Sequence, residues 1–138
     1  MQNNCIFCKI ISGEIPSTTI YEDGDFKVIM DISPAAKGHS IILPKKHAAN
    51  LFELDDETAS KALIVARKVA KAMMEALHCD GLNVLQNNGE AAGQTVLHYH
   101  IHLIPRYEND PVNIKWAPGK YVDGEAAAIA DSIAKRIK

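Results

Sequence analysis

The chain has 138 residues and 15.1 kDa, the size of one ordinary domain. Apolar residues make up 47% and charged residues 23%, which excludes a disordered, collagen-like or coiled-coil chain. Fifteen Lys and Arg against seventeen Asp and Glu leave a net charge of −2, so no concentrated basic face is expected to grip nucleic acid. No apolar run approaches the ~18 residues of a membrane span. The opening Met1-Gln2-Asn3-Asn4-Cys5 lacks the basic and apolar regions of a secretory leader, so a cytoplasmic protein without a membrane partner is expected.

In chain order, Cys5 to Ile11 is mostly apolar and ends at Ser12-Gly13, which predicts a short helix or turn. Thr18 to Glu22 is rich in β-formers, Asp23-Gly24 is a hairpin signal, and Phe26 to Met30 is the return strand. Beyond a loop marked by Ser33-Pro34 and Lys37-Gly38, His39 to Leu43 is a nearly continuous apolar run closed by Pro44, an interior strand. Asp55-Asp56-Glu57-Thr58 supplies capping and acidic residues for a helix start. Behind it Ala59, Ala62, Leu63, Ala66, Val69, Ala70, Met73, Met74 and Leu77 recur at spacings of three and four. That predicts an amphipathic helix of about twenty residues. Leu82 to Gln86 reads as a strand, Asn87 to Gly93 as a Gly- and Asn-rich loop, and Val96 to Ile104 as a long strand stopped by Pro105. The Ala-rich stretch from Glu125 to Ile137 predicts a closing helix. Five strands, one long helix among them and a helix at the end imply an α+β fold on an antiparallel sheet, as a single domain over residues 1–138.

The most informative residues are His98-Tyr99-His100-Ile101-His102. Alternate residues of a strand share a face, so three imidazoles stand in a row, roughly 6.5–7 Å apart, while Tyr99 and Ile101 turn to the core. Two chemistries use such a row. In one, His98, His100 and His102 hold a metal ion, and the protein is a metal-dependent hydrolase that loses activity to a chelator. In the other, the rings act on phosphate: neutral imidazole is a nucleophile, protonated imidazole holds an anion, and both forms exist near pH 7. Separately, Cys5-x-x-Cys8 has the spacing of a zinc ligand pair, although two buried thiols without metal read the same way.

The stretch from Gly93 to Ile104 resembles the signature of the histidine triad family, written His-φ-His-φ-His-φ-φ with φ apolar. Asp31-Ile32-Ser33-Pro34, Gly38-His39, Pro44-Lys45-Lys46-His47 and the run from Cys5 to Pro16 are similar to that family as well. The likeness is greatest to its small nucleotide-binding branch common in bacteria, and it spans about Cys5 to Arg106. It implies a homodimer whose sheet continues across two subunits, a purine nucleotide ligand, no organic cofactor, and cleavage at the α-phosphate. By the same resemblance His100 is the nucleophile, forming a nucleotidyl-histidine that water hydrolyses. His102 holds the phosphate oxygens, His39 stabilises the same charge or sets the tautomer of His100, and Thr95 relays a proton to the leaving group. Asp31 accepts from the ribose hydroxyls, Ile32 packs on base or sugar, and Asn87, Gly93, Gln94 and Thr95 place polar groups near the phosphate. For Asp31, Asn87 and Asn88 plain turn chemistry is the alternative.

The resemblance also implies two further ligands beside Cys5 and Cys8, namely His47 and His98, a closed structural Zn2+ site. A phosphoramidase is the first expectation from this likeness. A dinucleoside polyphosphate hydrolase shares most of the signature, and a nucleotide-binding interaction protein with incidental turnover is a third reading.

Overall fold

The computed structural model describes residues 2 and 4–138; Met1 and Asn3, within the opening stretch read above, lie outside the described residues. Its first hairpin is built by Asp23. Strand β1 (Thr19–Glu22) pairs antiparallel with β2 (Phe26–Met30), and Asp23 Oδ1 between them accepts from the N–H groups of Asp25 (2.8 Å) and Phe26 (2.7 Å). A carboxylate that satisfies two turn amides sets the reversal. Strand β3 (Ser40–Pro44), buried along its whole length, pairs with β2. Strands β4 (Gly81–Gln86) and β5 (Ile101–Arg106) complete a five-stranded antiparallel sheet in the order β1-β2-β3-β5-β4.

Helices cover both of its faces. Helix α2 (Asp56–Leu77) is capped by Asp55, whose carboxylate accepts from the Thr58 N–H at 2.8 Å, and it lays Ala62, Val65, Ala66, Val69 and Met73 on one sheet face with Val28, Ile42, Tyr99, Ile101 and Leu103. Helix α1 (Ile6–Ile11) covers the other face, with Phe7, Cys8 and Ile10 against Ile29, Ile41 and Leu43. Strand alternation therefore sorts neighbours such as Ile41 and Ile42 to opposite sides. Helix α3 (Glu125–Ala134) buries no residue, and it ends short of the expected Ile137. No helix among the described residues is long and apolar enough to cross a membrane.

The α+β class, the five strands and the long helix agree with the sequence reading. Two details differ. The last strand is Ile101–Arg106 instead of Val96–Ile104, because β4 ends opposite Ile101 and the chain before it has no ladder partner there. Pro105 sits inside β5, where it faces Leu82 of β4 beyond the last pairing with β3, so its missing N–H costs no ladder bond on that side. The buried face of α2 is also displaced from the expected stripe: Val65, outside that stripe, is buried, whereas Leu63, within it, is 66% exposed.

One backbone position closes the sheet against α2. Gly38 has φ +101°, and a Cβ there would stand 2.5 Å from Leu77 Cδ1 and 3.3 Å from Pro105 Cγ. Gly38→Ala therefore combines a strained φ with overpacking, and is expected to cost about 2–4 kcal/mol. Thermal unfolding checks it: an unchanged Tm would mean that the turn relaxes freely.

Candidate active site and metal cluster

The histidines divide into two groups. His98 is fully buried, and its Nε2–H donates to the Pro44 carbonyl at 2.8 Å. One neutral imidazole has one N–H and one lone pair, so this bond leaves the Nδ1 lone pair free. Nδ1 faces Cys5 Sγ (3.5 Å), Cys8 Sγ (3.6 Å) and His47 Nδ1 (3.1 Å), and Cys8 Sγ lies 3.4 Å from His47 Nδ1. Tetrahedral zinc, with bonds of about 2.0 Å to nitrogen and 2.3 Å to sulfur, implies ligand–ligand edges of roughly 3.3–3.8 Å. The three edges that involve a sulfur fall in that range, the His47–His98 edge of 3.1 Å lies just below it, and all four donor atoms lie within 4.8 Å of one another. Burial pushes the His98 ring down to about 4, which keeps it in the neutral form a cation needs, and raises the Cys5 thiol. A cation in the cluster would draw off the thiol protons. Cys5, Cys8, His47 and His98 thus fit Zn2+ by donor set, tautomer and spacing.

The second group is His39, His100 and His102, whose rings lie about each other. His100 Nδ1–H donates to the His98 carbonyl at 2.6 Å, so its lone pair resides on Nε2. Burial lowers the His100 pKa, against the opposing effects of that bond and of Asp31. The ring of Phe7 stands edge-on to it at 5.0 Å, and the His102 ring at 4.9 Å. The Ala35 N–H donates to His39 Nδ1 at 2.9 Å, so His39 carries its proton on Nε2 and donates it to His102 Nδ1, also at 2.9 Å. That leaves His102 with an Nε2–H. Asp31 Oδ2 flanks the relay 3.5 Å from His39 Nε2.

The chain of donors also bears on metal binding here. Asp31, His39 and His102 lie close enough to surround a cation. His39, however, spends its only lone pair on the Ala35 N–H and offers none to a metal. Nor do His98, His100 and His102 converge on one ion: the Nδ1 of His98 turns to the cysteines and the Nδ1 of His100 to a carbonyl. The row expected from a regular strand is broken because His98 and His100 precede β5, where the Tyr99 N–H bonds the Ala48 carbonyl at 2.7 Å. Tyr99 still points into the core, so the alternation holds without the ladder. His39 meets His102, not His100, whose tautomer is set by the backbone.

The remaining expected residues differ in their surroundings, and Thr95 lines a cleft with Cys5 and His47. Ile32 is 96% exposed. Asp31 Oδ1 accepts from the Ser33 N–H at 2.8 Å, so turn chemistry and proximity to His39 coexist. Gly93 has φ +96°, and a Cβ there would meet Asn87 Nδ2 at 3.5 Å. The buried Gln94 side chain is committed to the loop: Oε1 accepts from the Gly89 N–H, and Nε2 donates to the carbonyls of Ala49 and Val96. Thr95 is exposed at the end of this loop. Lys45 and Lys46 pair with Glu22 and Asp55 and do not join the histidines. Phe7 and the Ala35 N–H shape the site without any signal that the histidine pattern carries. Their roles depend on side chains and amides meeting across distant segments.

Burial, reinforced by the neighbouring His100 and His39, pushes His102 down to about 4 from an ordinary 6.5, and burial also lowers His39. The unfolded chain thus binds more protons between these values, and stability falls as pH drops from about 6.5 to about 4. Urea unfolding along a pH series should show this loss, shallower in His102→Gln. A flat profile across that window would contradict neutral, buried rings.

A model of the HIT domain matches residues 12–109, and the chain belongs to this family. Over 97% of its length it is 44% identical to "Protein hit" of Bacillus subtilis, covering 94% of that protein. It is 38% identical over 98% of its length to the adenosine 5′-monophosphoramidase hnt1 of Schizosaccharomyces pombe, covering 99% of it. The crystal structure of a HIT family member from Bacillus subtilis superposes with a TM-score of 0.93 at 44% identity, over 99% of each chain. A Zn-bound histidine triad protein from Mycobacterium smegmatis superposes with a TM-score of 0.77 at 37% identity, over 96% of this chain and 98% of that one.

Proposed function

We propose that the protein is a nucleotide hydrolase that cleaves the α-phosphate bond of purine nucleoside 5′-phosphate derivatives, P–N bonds foremost. The reading rests on one observation above all: His100 is buried and donates from Nδ1 to a carbonyl, which leaves a neutral Nε2 lone pair as nucleophile. Nε2 attacks phosphorus in line and the P–N bond breaks. The resulting nucleotidyl-imidazolium carries its positive charge against the His98 carbonyl. His102, its tautomer set by His39, donates Nε2–H to a non-bridging oxygen whose charge grows in the transition state. Thr95 passes a proton to the departing amine, and water then attacks the intermediate to return His100. Asp31 accepts from the ribose hydroxyls, exposed Ile32 packs on base or sugar, and Asn87 and the Gly93 backbone approach the phosphate. Gln94 serves by holding that loop in shape. The hnt1 relative, named a monophosphoramidase, supports the P–N preference.

Zn2+ held by Cys5, Cys8, His47 and His98 would act structurally, tying α1 and the His47 loop to the segment that carries the nucleophile. Surface left uncovered supports a homodimer as part of this reading. Among the described residues the outer edge of β4 has no partner strand, and Leu63 and Ile64 of α2 and Val84 of β4 are exposed apolar residues that a second subunit would bury.

The test uses an adenosine phosphoramidate labelled at the α-phosphate, quenched during turnover. Acid-labile label on His100, absent in His100→Ala, is the expected result. Turnover without trapped label even in a rapid quench would sink the covalent route. Comparing kcat/KM for the phosphoramidate and a dinucleoside polyphosphate separates the two hydrolase readings.

A further inference from the structure

Cys5 and Cys8 share one helical turn. Cys5 caps α1 and Cys8 lies within its first turn, its N–H donating to Cys5 Sγ at 3.4 Å. The two sulfurs lie within 4.8 Å of each other. Closing them to the ~2.05 Å of a disulfide needs rotation about side-chain bonds in a single turn, not the approach of two elements. Cys5, although mostly buried, lines a surface cleft with His47, Thr95 and Leu97, which gives a small solute a way in. Cys79 is different: it follows α2, is buried, and its sulfur meets Met74 Sδ at 3.2 Å with no second cysteine in reach.

We propose that Cys5 and Cys8 form a peroxide-sensitive modification site, at which oxidation to a disulfide expels the zinc and loosens the nucleophile. The inference rests on the zinc reading above. A zinc-bound thiolate is deprotonated and therefore nucleophilic. Cys5 sulfur attacks one peroxide oxygen, the O–O bond breaks, and hydroxide departs, leaving a sulfenic acid. Cys8 thiolate then displaces hydroxide from that sulfur and forms the S–S bond. Two thiolates have lost two electrons, one hydrogen peroxide has gained them, and with the protons it takes up two waters result. The metal keeps only His47 and His98 and leaves. Phe7, between the two cysteines, stands edge-on to both His98 (5.9 Å) and His100 (5.0 Å), so releasing α1 reaches the reactive ring directly.

The experiment takes the full chain purified from zinc-supplemented cells and first measures its metal. Zinc near one equivalent supports the premise; its absence overturns the zinc reading and the switch with it, before any oxidant is added. Hydrogen peroxide is then added with a chromogenic zinc chelator. Release of that equivalent, a Cys5–Cys8 disulfide in peptide maps, and a fall in turnover of about ten-fold or more that a dithiol plus zinc reverses are the expected results. Cys79→Ser should respond as the wild type does. Zinc retained with both thiols intact, while Cys79 or methionines oxidise, would overturn the switch but leave the zinc site standing.

Discussion

Replacing His100 with alanine is expected to lower kcat/KM by about 10⁴–10⁶-fold while leaving nucleotide affinity within a few-fold, because the change removes the group that bonds phosphorus and little else. His100 is a buried ring with one hydrogen bond, to the His98 carbonyl, and edge contacts with Phe7 and His102. Its loss leaves a cavity that lowers Tm by a few degrees without unfolding the sheet, since the core residues Ile42, Ile101 and Leu103 lie on the other face. Steady-state kinetics with the phosphoramidate, beside calorimetric nucleotide binding, checks both halves. A loss of only ten-fold would move the nucleophile elsewhere. His39→Ala should fall between, since it leaves Nε2 of His100 in place but frees the tautomer of His102.

The second large effect is on stability. Cys8→Ser should empty the zinc site, as serine is a poor zinc ligand at neutral pH. Four donors from three separate segments meet there: α1, the loop at His47 and the chain before β5. A ligand present at a thousand times its dissociation constant stabilises by about 4 kcal/mol, and for a domain of this size that corresponds to roughly 10–15 °C in Tm. Metal analysis together with thermal unfolding tests it, and chelation of the wild type should reproduce the shift. A variant with full zinc and an unchanged Tm would show that Cys8 is only a buried thiol. The remaining donors also illustrate why tautomers matter. His98 can bind a cation because Pro44 takes its Nε2–H, whereas His39 cannot, because Ala35 takes its lone pair.

Much of this protein is legible without coordinates. Period-two alternation at Tyr99, Ile101 and Leu103 and period-three-and-four recurrence along α2 reflect local geometry that any chain with that pattern must obey. Asp23 and Asp55 act on amides two or three residues away, so their roles are local as well. The spacing of His98, His100 and His102 is enough to separate the rings from the core side, and Cys5-x-x-Cys8 to mark a ligand pair. Long-range contacts decided the rest. His39 and His102 are 63 residues apart and Cys5 and His98 are 93 apart, and no sequence period relates them. The end of β4 set where β5 begins, and the carbonyls of Pro44 and His98 chose which nitrogen of each imidazole is free. Sequence thus specifies which chemical groups are present and which face they share. Only the tertiary structure assigns their protons, because a hydrogen-bond partner brought from elsewhere in the chain determines where each lone pair points.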